Sequence, residues 1–256
     1  MRLGIMGAMQ EEVSQILSHV SEIEREARGM REYVSGQLQG KSVTVAFSRC
    51  GKVAASSTAT TLIERFGVDF LVFTGVAGAV DRTLNVGDIV VADTLIQHDM
   101  DVSALGLERF EVPLLGVSHF DVEQRLVGAA LRAAETYLAR NLSDDVGADA
   151  LAEFHIIDPQ VTKGTIASGD QFVTDDRTTQ ALRDHLPGLK CVEMEGAAVA
   201  QVAYEYGIPC VVLRTISDKA DHSATVDFPR FVARAASHFT CGSVLRLLDE
   251  LDSIAD

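Results

Sequence analysis

Apolar runs of strand length alternate with longer stretches of helical period along the chain, and no other feature constrains the fold as strongly. Such a pattern builds a mostly parallel or mixed sheet covered by helices, an α/β fold. Residues 3–6 read as a first strand, and Met9, Val13, Ile16, Leu17 and Val20 form a helical stripe directly after it. Residues 43–47 alternate like a half-buried strand, while 51–66, rich in Ala, Ser and Thr, suit a closely packed helix. Strands are predicted at 70–73, 89–92, 162–166, 190–192 and, most clearly, 210–216; helices at 123–140, 175–185, after Gly196, and from about 229 to 251. Residues 141–159, with Asp144, Asp145, Gly147 and Asp149, lack a strong period and read as a surface excursion from a single domain spanning 1–256.

Charge narrows the function. With 22 Lys and Arg against 37 Asp and Glu the net charge is −15, a field that repels nucleic-acid phosphates and anionic lipid heads. No nucleic-acid or membrane partner is expected. Cys50, Cys191, Cys210 and Cys241 show no CxxC spacing and sit among apolar residues, as reduced thiols do, which argues against zinc or a disulfide framework. The apolar run before Glu11 and Glu12 is too short for a signal peptide, and no run of about 20 apolar residues follows; a cytoplasmic protein is expected.

In open α/β sheets ligands collect beyond the carboxyl ends of strands, so polar residues directly after apolar strands are the first candidates. Four places stand out: Met9-Gln10-Glu11-Glu12, Thr74-Gly75-Val76-Ala77-Gly78, Val192-Glu193-Met194-Glu195-Gly196 and Ser217-Asp218. Glu12 lies four residues before Ile16, on the apolar stripe, and an inward carboxylate needs a partner or a chemical task. The competing reading, a first-turn acid that complements the helix dipole, suits Glu11 better. Glu193 and Glu195 share one side of an extended strand but diverge once a helix begins, and both also fit an acidic helix start. Asp218 reads equally as an N-cap or Asx-turn acid. Residues 74–78 lack the dinucleotide fingerprint and the P-loop lysine, and read as a tight turn that lets backbone approach a neutral ligand. Phe172, in Ala167-Ser168-Gly169-Asp170-Gln171-Phe172-Val173, either stacks on a flat base or belongs to the core. His98, in Gln97-His98-Asp99-Met100-Asp101, fits neither a metal helix nor a nucleophile triad, so no metal or cofactor is expected.

Taken together, Gly4-Ile5-Met6-Gly7-Ala8-Met9-Gln10-Glu11-Glu12-Val13, Gly51-Lys52-Val53-Ala54, Val192-Glu193-Met194-Glu195 and Arg214-Thr215-Ile216-Ser217-Asp218 resemble the 5′-methylthioadenosine/S-adenosylhomocysteine nucleosidases over nearly the whole chain. Only about 114–159 resists the match. The resemblance implies a three-layer α/β/α nucleoside phosphorylase-like fold with a mixed, partly barrel-like central sheet, active as a homodimer. It implies that Glu12 activates water, Glu195 binds the ribose hydroxyls and Asp218 protonates adenine N7. Phe172 and Val173 would hold the purine. Met194, Arg214 and Ser217 would line or order the site, with Val76, Ala77 and Gly78 beside it and Met9 and Phe228 toward the ribose or its 5′ substituent. Val102, Leu105 and Pro113 would come from the partner subunit. Val76 stands where many members have serine, Leu105 replaces an aromatic, and Arg49-Cys50 replaces a small-apolar pair, departures that bear on the 5′ end of the substrate. The wording of 75–78, 97–101 and 167–173 also resembles the branch that accepts 6-amino-6-deoxyfutalosine.

Breaking a ribosidic C1′–N9 bond builds positive charge on the sugar and negative charge on adenine, so both must be stabilised together. One acid on the leaving group and one base on water parallel the inverting glycosidases. Arg214 would lower the pKa of Asp218 if aimed at it. Two alternatives share the pocket: a phosphorolytic purine nucleoside phosphorylase, for which Arg49 would be the phosphate ligand, and a non-catalytic nucleoside-binding module.

Overall fold

The computed structural model describes residues 1–254, in which the expected alternation is realised. The chain runs β1 (Arg2–Gly7), α1 (Gln10–Ser18), β2 (Ser21–Arg28), β3 (Arg31–Leu38), β4 (Lys41–Phe47), α2 (Lys52–Phe66), β5 (Phe70–Ala79) and β6 (Ile89–Gln97). It continues β7 (His119–Asp121), α3 (Gln124–Arg140), α4 (Leu142–Val146), α5 (Ala148–Glu153), β8 (Val161–Ser168), α6 (Asp176–His185) and β9 (Leu189–Glu193). It ends with α7 (Gly196–Tyr206), β10 (Cys210–Asp218), α8 (Ala224–Phe231) and α9 (Ser237–Ile254).

The strands form one sheet in the order β10-β6-β8-β9-β5-β1-β4-β3-β2, with β7 on β6. Because β10 also pairs with β5, the strands β5, β10, β6, β8 and β9 close into a five-stranded mixed barrel, and β1 to β4 leave it as an open wing. Closure removes two of the edges that unpaired N–H and C=O groups would otherwise expose. Helices cover the sheet in two groups: α1, α3, α4 and α9 pack on one another, as do α2 and α7. Small residues bring α3 and α9 close together. Ala129, Ala130, Ala133 and Ala134 of α3 are buried, and Gly242 of α9 has no room for a Cβ because the Tyr137 ring occupies the space. Such faces let helices approach closely at native packing density.

Four departures from the sequence reading have physical causes. Residues 74–78, read as a turn, continue β5 as a fully buried strand; the glycines serve close contacts described below. The hairpin of β2 and β3 was not signalled, because β2, Ser-Glu-Ile-Glu-Arg-Glu-Ala-Arg, is an edge strand exposed on nearly every residue and carries no apolar alternation. The last helix, expected from about 229 to 251, is not continuous: Pro229 lies inside α8, and a π-helical turn at Val232–Ala236 joins α8 to α9. Residues 141–159 hold α4 and α5, with Leu142, Val146, Ala150 and Ile156 buried beneath an acidic surface.

Candidate active site

The registers of the barrel bring three distant segments to one point. Gly78 of β5 lies opposite Asp218 of β10 and Val192 of β9, and β1 runs parallel to β5 on its other side. A pocket of about 530 Å³, counting the solvent at its mouth, opens there. Glu12, Glu195 and Asp218 all line it, 2%, 5% and 2% exposed respectively.

Glu12 sits at the third position of α1 and folds back over the helix start. Its Oε2 accepts from the N–H groups of Ala8 (2.7 Å) and Met9 (2.9 Å), and its Oε1 from that of Val76 on β5 (3.1 Å). The side chain therefore complements the helix terminus and enters the pocket at once, so the two sequence readings are not exclusive. Gly75 makes this possible: a Cβ there would lie 2.5 Å from Glu12 Oε1. Burial raises the Glu12 pKa, against the lowering effects of Arg214 and the three N–H donors.

Glu193 and Glu195 part company as the helix begins. Glu193 takes the helix N-terminus: its carboxylate accepts from the N–H groups of Glu195 (3.2 Å) and Gly196 (2.8 Å) and from the Ser168 hydroxyl. It also pairs with the guanidinium of Arg214, Nη2 to Oε2 at 2.6 Å, wholly inside the protein. Glu195 is thereby left free for the pocket, where its Oε1 accepts from the Gly51 N–H at 2.7 Å. Burial and then the adjacent Glu193 carboxylate raise its pKa. Arg214 stacks on Phe73, 4.2 Å from the ring centroid, and points to Glu193 and not to Asp218, which corrects the concern that it would acidify Asp218.

Asp218 ends β10, with Oδ1 accepting from the Ala220 N–H (2.8 Å) and Oδ2 from the Ser217 hydroxyl (2.7 Å). Desolvation nevertheless raises its pKa from the ordinary aspartate value. Gly78 leaves space for it, since a Cβ there would lie 2.9 Å from Oδ1. Phe172, 43% exposed, meets Phe228 edge-on with centroids 5.2 Å apart, so it walls the pocket instead of joining the core. Met9, Val76, Ala77, Gly78, Val173, Met194 and Ser217 complete the lining already expected.

Arg214 lies behind the lining, and Val102, Leu105 and Pro113 lie outside it, on a segment where Leu105 is 77% exposed and Leu114 wholly so. Arg49 is turned away, its guanidinium donating to the Met30 carbonyl, so the phosphate ligand considered for it is not provided. Ala8 and Gln171 line the pocket without having been given a role from sequence, and Cys50, noted there only as a departure from the family pattern, lines it too. The Cys50 thiol is pushed up to about 11 by burial and by Glu195 and Glu12, which keeps it neutral and poorly nucleophilic. Among the described residues no group of three or more His, Cys, Asp or Glu could hold a metal ion, and no helix is long and apolar enough to cross a membrane.

Residues 2–249 match the Phosphorylase superfamily. The 5′-methylthioadenosine/S-adenosylhomocysteine nucleosidase of Bacillus licheniformis is 37% identical over 252 residues, covering 98% of this chain and all of that protein. The solved nucleosidase of the same name from Colwellia psychrerythraea, in complex with adenine, superposes with a TM-score of 0.86 at 34% identity, covering 98% of this chain and 96% of that one. A futalosine hydrolase mutant from Helicobacter pylori superposes with a TM-score of 0.83 at 33% identity, over 97% of this chain and 99% of that one. The chain thus belongs to the 5′-methylthioadenosine/S-adenosylhomocysteine nucleosidase family of the phosphorylase superfamily.

Proposed function

We propose that this protein hydrolyses the N-ribosidic bond of 5′-methylthioadenosine and S-adenosylhomocysteine, releasing adenine and the 5′-substituted ribose. One observation carries the reading: three buried carboxylates from three strand ends surround one pocket, each with its pKa raised by burial. Burial that favours the protonated form of a carboxyl equips it for proton transfer. A carboxylate accepts about four hydrogen bonds, and Glu12 spends three on backbone, which leaves capacity for one water. Glu12 then takes a proton from that water as it attacks C1′. Asp218, protonated, delivers its proton to the departing adenine. Glu195 receives the ribose hydroxyls, whose hydrogen bonds favour its anion and place negative charge near the developing oxocarbenium ion. Phe172 stacks against the base, and Met9 and Phe228 meet the ribose side.

In phosphate-free buffer the enzyme is expected to release adenine and free 5-methylthioribose from 5′-methylthioadenosine at the same rate as in phosphate buffer, measured by chromatography. A strict requirement for phosphate, with a sugar 1-phosphate as product, would transfer the protein to the phosphorylases; Glu12 at the nucleophile position repels phosphate, and Arg49 faces elsewhere. The likeness to the futalosine hydrolase supports 6-amino-6-deoxyfutalosine, split at the same bond, as a further substrate. Comparing kcat/KM on these nucleosides ranks them.

We also propose a cytoplasmic homodimer acting in methionine salvage. Leu105 and Leu114 are exposed while Phe110 and Val112 anchor their segment, an arrangement suited to covering the 5′ end of a partner's site. Leu105→Glu is expected to shift the sedimenting species toward monomer and to raise KM for 5′-methylthioadenosine, with the Kd for free adenine nearly unchanged. Full activity from a stable monomer would reject the shared pocket.

A further inference from the structure

The motif at 97–101 and the turn at 169–173 are joined by polar contacts that the chemistry above does not use. Lys52, the first residue of α2, donates from Nζ to Asp99 Oδ1 (2.6 Å) and to Gln97 Oε1 (3.0 Å). Its own N–H donates to Asp170 Oδ1 (2.8 Å), and the Asp170 N–H donates to Asp99 Oδ2 (2.9 Å). Lys52, Asp99 and Asp170 therefore form a closed ring of three contacts between the start of α2, the end of β6 and the turn after β8. Gln97 in turn donates to Gln201 on α7, which ties the ring to the helix that begins directly after Glu195.

Both neighbours of this ring face the pocket. Gly51, directly before Lys52, is the donor to Glu195, and at φ +96° with Asp170 Oδ1 only 3.1 Å from a hypothetical Cβ it has to be glycine. Phe172 lies two residues after Asp170. Asp170, Gln171 and Phe172 are all exposed, so this stretch buries little apolar surface that could hold it in place. The Lys52 side chain is only 16% exposed, which makes its ion pair with Asp99 less screened than a surface pair.

We infer that Lys52, Asp99 and Asp170 are positioning residues, a clamp that seats the Phe172 turn against the start of α2 and so sets the base wall of the pocket and the Gly51 donor to Glu195 in one register. The inference rests on the proposed nucleosidase reading and assigns to that site residues that touch no reacting atom. It makes the affinity for the base, more than the chemical step, the quantity that the clamp controls.

The test uses the full-length protein, calorimetric titration with adenine, and steady-state kinetics on 5′-methylthioadenosine. Asp170→Ala and Lys52→Met are each expected to raise the adenine Kd and the KM about tenfold, the scale of one charge-assisted hydrogen bond, with kcat reduced less. The double variant is expected to be little worse than the poorer single one, because the first cut already releases the turn. Asp170→Asn, which keeps the acceptor for the Lys52 N–H, is expected to recover most of the affinity lost in Asp170→Ala. Unchanged adenine affinity in both single variants, additive losses in the double, or an Asp170→Asn as poor as Asp170→Ala would each overturn the clamp. Should Asp170→Ala not fold, Lys52→Met and Asp170→Asn carry the same comparison. Failure of the wild type to release adenine would instead overturn the nucleosidase reading.

Discussion

Glu12→Gln is expected to lower kcat on 5′-methylthioadenosine by about 10²–10⁴-fold, the range that a positioned general base contributes. Affinity for substrate should stay within about threefold, a change of less than 1 kcal/mol. The amide keeps the shape of the side chain and its carbonyl oxygen keeps the Ala8 and Met9 N–H donors, but its NH₂ then faces the Val76 N–H and can no longer accept a proton from water. The pH profile separates this from a general loss of structure. Wild-type rate should fall as pH drops through the raised Glu12 pKa, because the protonated acid cannot act as a base, and the residual rate of the variant should lack that acid limb. Comparable kcat in the two proteins, or an acid limb that survives the substitution, would remove Glu12 from the base role. The same burial bears on stability. A carboxyl whose pKa in the folded state is raised above 4.5 favours folding at low pH, and that contribution disappears as pH rises from about 4.5 through the folded value, so at neutral pH Glu12 costs stability in exchange for reactivity.

The parts of the molecule that sequence made legible are those where one physical signal dominates. Apolar runs located β1, β4, β8 and β10, and the stripe through Val13 and Ile16 located α1, because burial on one face demands that period. The stripe also marked Glu12 as inward, and both of its possible duties proved compatible in one side chain. Glu193 and Glu195 were not separable by sequence, since either fits a helix start; only the position of Arg214 and Ser168 shows that Glu193 takes the helix terminus and leaves Glu195 to the pocket. Gly75 and Gly78 were legible as sites of close approach but not as strand residues. What approaches them is Glu12 and Asp218, contacts between segments more than sixty residues apart. The β2 strand stayed invisible because an exposed edge needs no apolar alternation. The ring of Lys52, Asp99 and Asp170 joins three segments through side chains that look like ordinary surface charges in isolation.

Asp218→Asn is expected to reduce turnover of adenine nucleosides by about 10²–10⁴-fold, yet to affect a nitrophenyl riboside by less than about tenfold. The difference follows from the leaving group. Adenine departs from N9 with developing negative charge that a proton at N7 relieves, whereas nitrophenolate is stable as an anion and leaves unprotonated. Asparagine preserves the acceptor for the Ala220 N–H or the Ser217 hydroxyl and removes only the transferable proton. Burial supplies the reason Asp218 can hold that proton: it outweighs the lowering effects of Ser217 and Ala220, and Asp221 and Asp227 add to the upward shift. Arg214, buried on the same strand, is engaged by Glu193. The wild-type rate on adenine nucleosides should therefore fall as pH rises through the raised Asp218 pKa, and the same alkaline limb should be absent with the nitrophenyl riboside. Equal losses on both substrates would assign Asp218 to binding or to orientation of the sugar. An alkaline limb shared by both substrates would place the titrating group elsewhere, and Glu195 would be the next to substitute, since its carboxyl is also raised and faces the same pocket.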